Sequence, residues 1–291
     1  MREEKMRKKT IKSVQSLQAR LKVYQVLDDV LKAIIVIAFL FPFYWMIITS
    51  LKTVEESHFW PVTFYPHKPS LQAYQALFER IKLLGYVKNS IIVTLCTLVL
   101  QIFVMVPAAY AFAKDEFRGK GVCFSLVLVA FMIPTQVTFI SVYLMMAKAK
   151  VLQTLIPQIL PFGANAFGIF LLRQAFMQIP EEIIESARLD HATDTQIMFK
   201  IMLPMSKSTL ATIAMFSFMG QWNSYFWPLV MTDIEKVRPL TIALDKLRDV
   251  EIGVDWTLVM AGNVVLVVPV LIVFVFASRK IIEAFSYRGM K

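Results

Sequence analysis

Long apolar runs separated by polar segments dominate this chain. A helix needs about 20 mainly apolar residues to cross the hydrocarbon core of a bilayer. Acidic and basic side chains are almost absent from the centres of the long runs, and a single segment in lipid must satisfy its backbone hydrogen bonds internally. The pattern therefore predicts an all-α integral membrane protein with six transmembrane helices, at about 31–51, 89–113, 122–147, 155–177, 206–231 and 257–278.

The polar ends of the chain frame this apolar part. Residues 1–30 are basic and lack a short apolar core followed by a small-residue cleavage site, so we expect a retained cytoplasmic segment rather than a signal peptide. We therefore predict an amino-terminal segment at 1–30, a transmembrane domain at 31–280 and a tail at 281–291.

The distribution of lysine and arginine predicts the orientation. Residues 1–32, the 114–121 turn, the 173–207 loop and the tail from residue 279 carry 20 of the 31 basic residues, and the opposite loops carry 11. Cytoplasmic loops carry the excess of lysine and arginine. Both termini and the 173–207 loop are therefore expected in the cytoplasm.

The loop at about 178–205 is the longest polar interruption on that side. Pro180 and the acids at 181–182 suit a helix start, because proline loses no bond there and acids complement the helix dipole. Residues 190–191 interrupt this helix, and Thr193 with Gln196 forms a capping-box pattern for a second one. Pro204 marks a break before the next span. The loop is predicted to be a helix-turn-helix presented outside the bilayer.

The same loop resembles the EAA loop of bacterial ABC importer permeases. The family pattern is E-A-A, two residues, D-G-A and then I-x-L-P; here residues 185–192 read ESARLDHA and residues 201–204 read IMLP. His191 stands where the family has glycine. Further matches to the MalG-type carbohydrate permeases extend the resemblance over roughly residues 30–280: Asn89-Ser90, Ala109-Tyr110-Ala111, Ile133-Pro134, Phe170-Leu171-Leu172-Arg173-Gln174, Ile179-Pro180-Glu181-Glu182 and Trp222-Asn223.

This resemblance implies a fold, a role and an assembly. The fold would be that of a type I ABC importer permease, with the loop as a coupling helix that docks on a cytoplasmic ATPase. The partners would be a second, MalF-like permease, a dimer of ABC ATPase subunits, an extracytoplasmic sugar-binding protein and the lipid of a bacterial cytoplasmic membrane. The coupling residues would be Glu185, Ser186, Ala187, Arg188, Asp190, His191, Ala192, Leu203 and Pro204.

Composition and missing motifs narrow the function further. The hydrophobic fraction is 57% and the mean hydropathy is +0.59, above ordinary soluble usage. The net charge of +10 follows from the positive-inside bias, so we expect no nucleic-acid partner. No G-x-x-x-x-G-K-[ST] loop, G-x-S-x-G elbow or metal-ligand spacing occurs in the sequence. We therefore expect no catalytic residue, metal site or cofactor here, with ATP and Mg²⁺ bound by a partner ATPase.

Polar residues at membrane level are the remaining signal. Amides both donate and accept hydrogen bonds and suit sugar hydroxyls, and aromatic rings can stack on sugar rings. Asparagine and glutamine also join neighbouring helices in membranes, so both interpretations stay open. The candidate substrate-pathway residues are Gln136, Asn165, Gln221, Trp222, Asn223 and Tyr225.

Two rival functions have weaker support. A secondary transporter would need ion-coupling carboxylates inside the membrane or internal repeats. A membrane-embedded enzyme would need a nucleophile–base pair or a metal cluster at membrane depth. The apolar runs show neither, and the sequence does not say which sugar would be carried.

Overall fold

The computed structural model describes the backbone of residues 2–248 and 254–286, and side chains at 22, 24–248 and 254–278. All regular elements in these ranges are helical. The first half of the chain forms α1 (Arg2–Ser50), α2 (Val54–Ser57), α3 (Gln72–Arg80), α4 (Leu83–Lys114), α5 (Lys120–Met132), α6 (Thr135–Lys148), α7 (Ile156–Ile159) and α8 (Ala166–Met177). The second half forms α9 (Glu181–Leu189), α10 (Asp194–Gln196), a π-helical segment (Ile197–Met202), α11 (Leu203–Met205), α12 (Lys207–Trp222), α13 (Phe226–Met231), α14 (Leu240–Asp245) and α15 (Trp256–Ser286).

The described residues contain up to six membrane spans, if each bent helix pair counts as one. Four helical stretches are long and apolar enough by themselves: Tyr24–Ser50, Leu83–Lys114, Ile156–Met177 and Trp256–Ser278. Two further pairs are bent, Lys120–Met132 with Thr135–Lys148 by 100° and Asp194–Met205 with Lys207–Trp222 by 84°. The all-α membrane architecture predicted from the sequence is therefore confirmed.

Three predicted spans are not continuous helices; the one predicted over 155–177 divides between α7, which ends at Ile159, and α8, which begins at Ala166. The prediction of one helix over 122–147 is wrong, because α5 ends at Met132 and α6 begins at Thr135. Pro134 lacks an N–H and disfavours a helical residue before it; Ile133 accordingly has an extended backbone with ψ of 120°. The prediction of one helix over 206–231 is also wrong, since α12 ends at Trp222 and α13 begins at Phe226.

A buried cluster around α4 and α8 forms the first half of the core. Leu172, Phe176 and Val106 are fully buried there. The helices approach closely because Gly168 has no side chain: a Cβ at that position would lie 2.1 Å from the Met105 sulfur. This packing fixes α8 against α4, directly before the 178–205 loop begins.

A second cluster joins α3, α12, α14 and α15. Trp222, Leu240 and Leu258 are buried in it. By contrast, the apolar side chains of Tyr24–Ser50 are mostly exposed on this chain, which is typical of a helix that faces lipid or another membrane helix.

Candidate functional site

The loop between α8 and α12 begins with the amphipathic helix α9. Pro180 precedes its first residue, and two acids occupy the first turn, as the sequence predicted. Ile184 and Ala187 are buried against the α4–α8 cluster, whereas Glu185 is exposed and Leu189 is 81% exposed. One face of α9 therefore holds it on the membrane domain and the opposite face is free.

The turn after α9 has a left-handed residue at its centre. His191 has φ of 57°. Its N–H donates to the carbonyl of Arg188 at 3.0 Å, and the N–H of Ala192 donates to the carbonyl of Ala187 at 2.9 Å. These two bonds form a Schellman motif, whose left-handed position is usually glycine. The turn is therefore left-handed although this chain has His191 where the family has glycine, and the histidine adopts that conformation.

The second arm of the loop follows the predicted capping box. The Thr193 hydroxyl accepts from the Gln196 N–H at 3.3 Å, and the Gln196 side chain accepts from the Thr193 N–H at 2.9 Å. The helix continues through the π-helical segment Ile197–Met202 to Leu203 and Pro204. It then bends by 84° into α12, two residues after the predicted break at Pro204.

Two residues at the end of α4, absent from the sequence-based site, hold this loop. The Lys114 ammonium donates to the Ile179 carbonyl at 2.9 Å and to the Glu181 carboxylate at 2.8 Å. One turn earlier, the buried Tyr110 hydroxyl donates to the Asp194 carboxylate at 3.0 Å. The sequence feature that could have indicated this role is the spacing of Tyr110 and Lys114, because residues four apart lie on the same face of a helix.

Arg188 completes the contact at the Tyr110 end. Its guanidinium donates to the Tyr110 hydroxyl at 3.4 Å and lies 3.7 Å from the Asp194 carboxylate. The hydrogen bond that Arg188 donates to Tyr110 raises the pKa of Arg188. Arg188 therefore points towards the membrane domain, unlike Glu185, so the proposed coupling residues divide between an inner and an outer face.

Two of the six proposed pathway residues use their side-chain polar atoms in hydrogen bonds within the chain. Asn165 caps α8 by accepting from the Gly168 N–H at 2.9 Å, and its amide nitrogen donates to the Ser217 hydroxyl at 3.1 Å. Trp222 is 2% exposed and donates to the Leu266 carbonyl at 2.9 Å. These contacts correspond to the helix-joining interpretation for both residues.

The other four are more accessible. Gln136 and Asn223 are exposed, Gln221 is half-buried, and Tyr225 is 38% exposed with its hydroxyl donating to Asp245 at 2.7 Å. The ring of Phe139, one turn after Gln136, lies 5.2 Å from that of Phe226. The first turns of α6 and α13 are therefore neighbours, although no contact joins all four residues.

The charged sequence of residues 233–256 suits either a contact for a binding protein or a solvated connection, and the described part, the 232–248 segment, is held by bonds to Gln153. The Gln153 side-chain oxygen accepts from the N–H groups of Asp233 and Ile234 at 2.7 and 3.2 Å. Lys246 contacts Glu235 at 2.6 Å and lowers its pKa. Beside this pair lies a cavity of about 520 Å³. Two further acids of the 233–256 sequence, Asp249 and Glu251, lie outside the described residues.

Comparisons with known proteins agree over most of the chain. Residues 105–284 match the family model described as "Binding-protein-dependent transport system inner membrane component". The arabinooligosaccharides transport system permease protein AraQ of Halalkalibacterium halodurans is 32% identical over 203 residues, which are 70% of this chain and 72% of that protein. The diacetylchitobiose uptake system permease protein DasC of Streptomyces coelicolor is 28% identical over 273 residues, 92% of this chain and 97% of that protein. A chain in the crystal structure of a bacterial ABC transporter involved in the import of the acidic polysaccharide alginate has a TM-score of 0.80 and 26% identity, covering 89% of this chain and 96% of that chain.

Proposed function

The chain belongs to the family of inner membrane components of binding-protein-dependent transport systems, and we propose that it carries a carbohydrate through the membrane for an ABC importer. As a permease, it is a transport subunit and not an enzyme. We assign ATP and Mg²⁺ to a partner ATPase. A second permease beside this one, a sugar-binding protein outside and surrounding lipid complete the proposed assembly.

A carbohydrate substrate is supported by the relatives and by the accessible polar residues. AraQ and DasC are named for arabinooligosaccharides and diacetylchitobiose. Gln136, Gln221, Asn223 and Tyr225 offer amide and hydroxyl groups near the first turns of α6 and α13. A ligand screen on the cognate binding protein, followed by uptake into proteoliposomes, tests the class. Uptake of a non-carbohydrate alone would refute it.

The observation that carries the coupling role is the free outer face of α9. Glu185 and Leu189 are exposed on a helix whose other face is anchored to α4 and α8. A helix held on one face that exposes Leu189 and carboxylates on the other suits docking in a partner's cleft. The charges would set the orientation of the two proteins. We place this face against the ATPase, in the cytoplasm.

A charge reversal tests the docking face. Glu185→Lys should leave the permease folded, because the side chain is exposed, but should reduce ATP hydrolysis stimulated by loaded binding protein. Glu116→Lys is the matched control, since Glu116 is 89% exposed in the adjacent turn between α4 and α5. Full stimulation in the Glu185 variant would contradict the assignment.

The pathway residues require a separate test. Asn223→Ala should impair sugar uptake with little effect on assembly, since Asn223 is exposed and bonds only its own helix at Met219 among the described residues. Trp222→Ala should instead impair assembly, because burial and the bond to Leu266 are both lost. Normal uptake by assembled Asn223→Ala would remove Asn223 from the pathway.

A further inference from the structure

Helix α4 is held by side-chain hydrogen bonds at both ends, and we infer that it is the rigid connection between the 232–248 segment and the coupling loop. The residues that make the connection are Tyr110 and Lys114 at one end and Asn89 and Ser90 at the other. The inference rests on the proposed function and adds positioning residues to it. At 1.5 Å per residue, 32 residues span about 48 Å, more than the hydrocarbon core.

At the loop end, α4 contacts both arms of the coupling loop. Lys114 bonds Ile179 and Glu181, which flank the start of α9, and Tyr110 bonds Asp194 at the start of α10. The Lys114 side chain is 9% exposed and Tyr110 is 3% exposed, whereas the carboxylates of Glu181 and Asp194 are 52% and 65% exposed, so each bond is buried on the α4 side and open to water on the loop side. One face of α4 therefore attaches both arms of the loop, α9 through Lys114 and α10 through Tyr110.

At the opposite end, α4 bonds three backbone groups of the 232–248 segment. The Asn89 side-chain nitrogen donates to the carbonyls of Lys236 and Arg238, each at 2.9 Å. The neighbouring Ser90 hydroxyl accepts from the Leu240 N–H at 2.9 Å. Asn89 is 8% exposed and Ser90 is 3% exposed, which makes loss of either partner costly.

Between these ends, α4 is a continuous helix packed on α8. Met105, Val106 and Ala109 are almost fully buried, and Gly168 brings α8 into direct contact with Met105. A close-packed core transmits displacement instead of absorbing it. A binding protein that displaces residues 236–240 therefore displaces α4, and α4 displaces both arms of the coupling loop.

A double-mutant cycle tests whether the two ends act in series. Tyr110→Phe keeps the packed ring and removes only the hydroxyl; Asn89→Ala removes both amide bonds. In nanodiscs with the ATPase and binding protein, each variant should lower the ratio of stimulated to basal ATP hydrolysis by about three- to tenfold. Breaking a series connection twice costs no more than breaking it once. The double variant should therefore have the same ratio of stimulated to basal ATP hydrolysis as whichever single variant has the lower ratio.

Tyr143→Phe is the control for hydroxyl loss, because the Tyr143 hydroxyl bonds no described residue and should leave the ratio unchanged. Effects that multiply in the double variant, or single variants that retain the wild-type ratio, would overturn the connection. Absence of stimulation in the wild type would instead count against the proposed function itself.

A covalent bond in place of the Lys114–Glu181 ion pair gives a second readout. The variant carries Lys114→Cys and Glu181→Cys in a chain whose own Cys96 and Cys123 are replaced by serine. Before cross-linking, the stimulated ratio should fall. A short, reducible bifunctional thiol reagent should restore it, because the proposal requires α4 and α9 to move together throughout the cycle. Cross-linking that abolishes uptake, with recovery on reduction, would show that the two helices must separate and would overturn the inference.

Discussion

His191 is the residue at which local geometry departs most from what its side chain prefers. The left-handed region costs a residue with a Cβ about 1–2 kcal/mol, although histidine visits it more readily than most. The two Schellman bonds of the turn hold His191 there with φ of 57°. The strain thus comes from the turn. The sequence predicts the position of this turn, but it does not establish that His191 is left-handed.

Replacing this histidine should relieve the strain. His191→Gly should stabilise the turn by about 0.5–1 kcal/mol, because the relieved strain exceeds the extra backbone entropy that glycine loses on folding. Hydrogen exchange at residues 190–193 is the measurement, and His191→Asn should act in the same direction. His191→Val should destabilise the turn.

Transport by His191→Gly should match the wild type at both about pH 6 and pH 8; selective loss of transport near pH 6 would make the imidazole a regulatory group.

Asp115 gives a pH-dependent test beside the same loop. Burial, followed by the nearby negative charge of Asp194, raises the pKa of Asp115 above its usual value. At neutral pH the folded protein therefore carries an unfavourable carboxylate, and the cost fades as pH falls through the raised pKa. Asp115→Asn should raise the melting temperature at pH 7 and lose that advantage on acidification. An advantage that grows towards low pH would contradict the assigned cause.

At the scale of the elements, a proline did not by itself decide where a helix ends. Pro134 separates α5 from α6 at a bend of 100°, whereas Pro107 and Pro269 lie inside continuous helices. A proline loses one backbone bond in either case, and packing on neighbouring helices decides whether the helix continues. For this reason the number of spans was predictable and their continuity was not.

The contact between α4 and α8 should be sensitive to a single methyl group. Gly168→Ala would place a Cβ 2.1 Å from the Met105 sulfur and 3.2 Å from Ile213, so Met105 must move within a buried cluster. We expect a loss of about 1–3 kcal/mol, as in other overpacked cores. Gly220→Ala is the control, because Gly220 also lies in a helix and a Cβ added there would meet no atom within 4 Å. Thermal stability in detergent measures both; equal melting temperatures would contradict the close approach.

For the whole molecule, the charge distribution makes a prediction about orientation. Of 31 lysines and arginines, 20 lie on the proposed cytoplasmic side. In a chain without Cys96 and Cys123, a cysteine at Thr193 should be labelled only from the cytoplasm, and one at Asp233 only from outside. Ser286 is a further cytoplasmic position, and Glu251, the other outer position, lies outside the described residues. Reverse labelling would remove the coupling role of α9.

The sequence by itself determined the class of molecule and the local form of its loop. Apolar runs long enough for a bilayer predicted six spans, and the pattern from Pro180 to Pro204 predicted a capped helix-turn-helix, because these signals act between residues close in the chain. Only the tertiary structure decided that His191 is left-handed, that Asn165 and Trp222 are engaged in packing, and that Tyr110 and Asn89 join α4 to distant segments. The side-chain hydrogen bonds of Asn165, Trp222, Tyr110 and Asn89 connect residues 44 to 149 positions apart, and such pairings depend on how the helices pack rather than on any local pattern.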